Sequence, residues 1–159
     1  MTLRVRSLIL ISALLVCLGG GLAGAQDKPA DTMELLREKA RADKRLVVAT
    51  ALNLTEGEAK VFWPVYNSYQ SDMITHYDRV STFLDAFAHA YGSMTDATAT
   101  KLLGEYLAIE ADRVAILKSY APKFGRVLPP VKVARLYQVE NKMRALVDYE
   151  LARAIPLVK

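Results

Sequence analysis

Apolar side chains recur along one stretch as Phe62, Tyr66, Tyr69, Met73, Tyr77, Val80, Leu84, Phe87 and Tyr91. The gaps are all three or four residues, which predicts a single stripe on one long helix over about 56–91. Thr55-Glu56-Gly57-Glu58 has the form of a capping box at its start, and Leu54 is placed to pack back on Ala59. Unbroken, the helix measures about 54 Å, although Pro64 predicts a kink or a break near its beginning. Three further helices follow from the same signals. One runs from a box at Asp31-Thr32-Met33-Glu34 to about Leu52, rich in charge and weakly packed on one side. Another starts at the cap Thr95, after a stop at Gly92, and reaches about Tyr120 with Leu103, Leu107, Val114 and Leu117 on one face. The last opens at Pro129-Pro130 and carries Val133, Leu136, Tyr137, Met143, Val147 and Leu151 as far as Pro156. No segment keeps a period of two. The pattern predicts an all-α fold of about four helices, an extended helical hairpin or cradle. A helix of about 54 Å outruns a small core, so a homodimer is expected.

The chain's other apolar run has a different meaning. Arg4 and Arg6 precede Leu8–Leu18, three glycines follow, and Ala23-Gly24-Ala25 supplies the small residues that a signal peptidase accepts. We read 1–25 as a cleavable signal peptide and 26–159 as one helical domain. A stable membrane anchor needs about 18 to 20 uninterrupted apolar residues, and Val16 before Cys17 is wrong for a lipoprotein signal. The expected compartment is the periplasm. Cys17 is the only cysteine, so cleavage leaves no disulfide, thiolate nucleophile or cysteine-held zinc.

Charge narrows the partners. There are 21 Lys and Arg against 17 Asp and Glu, a formal +4. Without Arg4 and Arg6 the balance is 19 against 17, too even for the concentrated basic footprint of a nucleic-acid binder. No nucleic-acid partner is expected.

Candidate chemistry is sparse. The only histidines, His76 and His89, each follow an aspartate by four residues, Asp72 and Asp85. Such a pair shares a helical face and could give a metal two ligands. The two histidines diverge by about 220° around the helix, so surface ion pairs are the plainer reading and no metal site is expected. No serine lies in a Gly-x-Ser-x-Gly elbow, and no glycine loop is built to cradle phosphate. Glu140 lies between Tyr137 and Met143, where a buried network holding helix register is favoured over an acid catalyst. No catalytic residue and no cofactor are expected; the chain does not read as an enzyme. All eight tyrosines follow the leader. They form either a tyrosine-rich core or a partly exposed surface for other chains. On the second reading that surface includes Phe62, Tyr66, Tyr69, Met73 and Tyr77, with Arg79, Arg113 and Lys118 nearby.

A motif ties these features together. Leu54-Thr55-Glu56-Gly57-Glu58, followed by Phe62-Trp63-Pro64-Val65-Tyr66, resembles the Leu-Thr-x-x-Gln motif of the Spy/CpxP-type periplasmic proteins and their zinc-resistance-associated relatives. Met94-Thr95-Asp96-Ala97-Thr98 looks like an echo of it, and Leu136–Lys142 is similar to the fourth-helix stretch of that group. Glu58 stands where the family has glutamine. Thr55 reads equally as a family mark or simply as a helix cap. The resemblance implies a dimeric helical cradle that shields unfolded proteins without ATP under envelope stress. Its alternative is an accessory or inhibitor that docks on the exported domain of a membrane stress sensor. Metal binding ranks below both, because the histidine-rich end of the zinc-associated branch has no counterpart in this chain.

Overall fold

The computed structural model describes residues 29–158, so the expected signal peptide 1–25 and its cleavage after Ala25 lie outside the described residues. Four helices follow one another: α1 (Pro29–Leu52), α2 (Glu56–Ala90), α3 (Asp96–Gly125) and α4 (Pro130–Ala154). A 3₁₀ turn at Tyr91–Ser93 links α2 to α3, and no strand occurs among the described residues. The all-α, four-helix expectation holds. No helix among the described residues is long and apolar enough to cross a membrane.

Several boundaries differ from the sequence pattern, each for a local reason. α1 begins at Pro29 and not at a cap on Asp31, because proline's fixed φ suits a first helical turn. It ends at Asn53, whose φ of 45° lies in the left-handed region. The Asn53 N–H donates to Ala49 O over 3.1 Å, closing the last turn. Pro64 does not break α2, which runs through it. An internal proline costs about 3 kcal/mol, but Phe62 and Tyr66 on either side are both buried and hold the segment in register. Pro122 likewise sits inside α3, which reaches Gly125 and not Tyr120. Gly92 is not a left-handed stop, because Tyr91 caps α2 in right-handed geometry and the turn follows directly. Thr95 caps α3 as expected, accepting from the Thr98 N–H at 3.2 Å.

α2 and α3 lie along each other as a long antiparallel hairpin; α4 packs on α3, and α1 packs on α4. The core is concentrated at one end of this arrangement. There the end of α1 (Val48, Leu52), the first half of α2 (Phe62, Tyr66, Tyr69, Met73), the end of α3 (Tyr120, Phe124) and the start of α4 (Leu136) converge with Leu128. Rings interlock across the helices: Phe62 and Phe124 are 5.8 Å apart, Tyr69 and Tyr120 5.4 Å. Such pairs contribute about 0.5–1.5 kcal/mol each beyond their burial. Past residue 77 the hairpin continues as an arm in which Leu84 and Ile109 remain buried.

Candidate functional site

The tyrosine stripe divides. Phe62, Tyr66, Tyr69 and Met73 are core residues with almost no exposure, which corrects the reading of these four as a client surface. Their partners are supplied by α3 and α4 of the same chain, so the stripe needs no second copy to cover its first half. Tyr77 is exposed. Arg79 is tied across the hairpin to Glu105 at 2.9 Å and to Asp112. Arg113 is half-buried and bonded to Glu110, whereas Lys118 is exposed. The eight residues therefore do not form one surface.

Buried polar groups sit behind the stripe. The Tyr66 hydroxyl donates to Glu140 Oε1 at 2.8 Å, and Lys44 Nζ lies 2.9 Å from Glu140 Oε2. Gln70 Nε2 makes a longer contact of 3.4 Å to Oε1. Glu140 thus fastens α1 and α2 to α4. Burial, reinforced by the Glu140 charge, pushes the Tyr66 hydroxyl far above its usual range. Tyr120 donates to Asp72 at 2.7 Å and is pushed up to about 12, by burial first and then by that carboxylate. The void bordered by Tyr69, Leu117, Phe124, Leu136, Tyr137 and Glu140 measures about 10 Å³, room for one water at most and not for a substrate.

The two histidines part as their spacing predicts. His76 of α2 is 6% exposed, and its Nδ1 has no hydrogen-bond partner. Burial holds its basicity below the ordinary value; Glu110, Arg113 and Asp112 of α3 and Arg144 of α4 surround it with mixed charge. His89 is exposed and its Nδ1 meets the backbone oxygen of Asp85 at 2.7 Å. Asp72 is bonded to Tyr120 instead of facing His76 as a co-ligand. No group of three metal-capable side chains comes together among the described residues.

The surface that stands out is the apolar face of α3 that the sequence spacing marks. Leu103 and Leu107 are 58% and 57% exposed, Tyr106 is 48% exposed, and Val114 is also exposed. They form a stripe along the arm portion of α3, with Tyr106 reaching the Phe83 ring at 6.2 Å. α3 presents a different row to the core, through Ile109, Ile116, Tyr120 and Phe124. That row also has helical spacing, but half-buried Arg113 interrupts it and disguises it as a solvated face. Two apolar rows on one helix were the available signal: α3 carries more apolar surface than a single chain covers. The chain matches no protein-family model, no curated protein and no solved structure.

Proposed function

We propose that this chain is a periplasmic, ATP-independent chaperone-like protein that holds unfolded or partner polypeptides under envelope stress, as the Spy/CpxP resemblance implies. The observation that carries this reading is the uncovered row Leu103, Tyr106, Leu107 and Val114 on the arm. Exposed apolar rows of this kind mark surfaces that receive other chains. Glu140 is satisfied by Tyr66 and Lys44, and Tyr120 by Asp72, so these groups serve as scaffold. Binding through a shallow aliphatic and tyrosine surface is weak and tolerant of sequence, which suits a holding role. A homodimer belongs to this reading, and sedimentation at micromolar concentration is expected to give twice the chain mass.

The test is light scattering of two unrelated denatured proteins with and without a stoichiometric amount of the purified chain. Both traces are expected to slow. The double variant Leu103→Ser/Leu107→Ser is expected to lose the effect while its stability stays within about 1 kcal/mol, since both side chains face water. If neither client is protected, the sensor-accessory reading replaces this one.

A further inference from the structure

The outward side of α4 carries a second ordered row. Following Val131, the positions Arg135, Gln138, Lys142, Leu146, Tyr149 and Arg153 recur at gaps of three and four. At 100° per residue they fall within a band about 80° wide and about 33 Å long. All are exposed, Leu146 to 71%. The row holds three cations and no acid. The acids of α4 lie off it: Glu140 faces α1 and α2, Asp148 pairs with Arg144 at 3.1 Å, and Glu150 flanks the band, 3.3 Å from Arg153. Arg153 also approaches the Tyr149 ring at 5.8 Å. α1 covers the neighbouring side of α4, where Lys132 reaches Asn53 O and Lys44 reaches Glu140. At the start of the row Arg135 approaches Ala51 O of α1 at 3.5 Å; among the described residues no helix covers the row from Gln138 onward.

We propose that this face of α4 docks an acidic amphipathic helix of another protein. Three features select that occupant. Gaps of three and four match the ridge of a partner helix lying along α4. Leu146 and Tyr149 offer apolar seats at the centre of the band's second half, with Lys142 and Arg153 one turn to either side to meet carboxylates. The band is narrow and more than half polar, whereas a helix lying in a bilayer surface presents a broad apolar face. The surface is separate from the Leu103 row on α3, so this inference stands independently of the holding function.

The experiment is fluorescence anisotropy with two labelled helical peptides of about 22 residues, matching the length of the row. They share one leucine seam; one carries glutamates beside it and the other lysines. The purified 26–159 chain is expected to bind the glutamate peptide and not the lysine peptide. Lys142→Glu/Arg153→Glu is expected to weaken binding by about tenfold or more. Leu146→Ser is expected to weaken it without changing its salt dependence. All these side chains face solvent, and far-UV circular dichroism checks that each variant stays helical. Equal binding of both peptides, or an affinity unmoved by the charge reversal, overturns the proposal. So does flotation with anionic phospholipid vesicles in the absence of peptide binding, which identifies a lipid surface. A halved sedimentation mass in the reversal variant also overturns it, in favour of a second copy of this chain.

Discussion

Lys132 Nζ lies 2.6 Å from Glu58 Oε2, joining the first turn of α4 to the cap of α2. The same carboxylate oxygen accepts from the Thr55 N–H at 2.8 Å, while Thr55 Oγ1 accepts from the Glu58 N–H at 3.2 Å. Lys132 also donates to Asn53 O at 2.9 Å. One residue thus completes a capping box and anchors another helix. A glutamine amide at this position could serve the box but would not supply the charge for Lys132.

Thr55→Ala is expected to lower stability by about 0.5–2 kcal/mol, because the Glu58 N–H loses its acceptor. Urea unfolding checks it, with a shifted midpoint and an unchanged slope expected.

Glu58→Gln tests the charge separately. Lys132 first, and the Thr55 N–H second, hold the Glu58 carboxyl below its usual value of 4.5. A group lowered in the fold stabilises it above the unfolded pKa, and that contribution fades as pH falls through the folded one. The variant is therefore expected to be less stable at neutral pH and to lose less than the parent on titration below about pH 4.5. Thermal midpoints between neutral pH and pH 3 measure both effects.

His76 predicts the opposite end of an acid titration. It is buried in its neutral form, with its basicity lowered by that burial. The unfolded chain takes up this proton near pH 6.5, before the folded chain does. Stability is thus complete above that pH and declines below it, until the folded pKa is passed. His76→Leu is expected to flatten the dependence of the melting midpoint between pH 7 and 5; an undiminished slope in the variant would assign it to other groups.

Tyr66→Phe removes the hydroxyl that Glu140 accepts from and leaves a largely buried carboxylate short of a donor. The expected cost is about 1–3 kcal/mol. A double-mutant cycle with Glu140→Gln is expected to show coupling, because the two groups touch.

Phe62→Ala is expected to cost about 3–5 kcal/mol, since the ring is wholly buried against Phe124 and Tyr66. Chemical denaturation supplies the comparison, and a cost below 1 kcal/mol would place the core elsewhere.

Much of this architecture was legible along the chain. Thr55 and Thr95 announce the starts of α2 and α3 because a hydroxyl cap is a local device, read within four residues. The spacing from Phe62 to Met73 identifies a stripe, but spacing alone does not say what covers it, and the tyrosines were open to both readings. The fate of Pro64 was hidden for the same reason: its local penalty is visible, while the buried rings that override it depend on α3 and α4. The Leu103 row was legible as one apolar face of α3, but periodicity reports that a row exists and not which of two rows a neighbour occupies. Arg113 conceals the true core face of α3, since a charge in the row reads as solvated although it lies half-buried beside Glu110.

Concentrating the core at one end gives the molecule a gradient of local opening. Backbone amides around Phe62, Phe124 and Leu136 are guarded by four converging segments, whereas those near Phe87 and Leu103 depend mainly on two helices lying side by side. The free energy needed to part the strands of structure should fall steadily from the base toward the tip, so the tip exchanges its hydrogens through partial openings that leave the base intact. The hairpin is thus clamped at its base by the packed core and held at its tip by little more than the turn at Tyr91–Ser93.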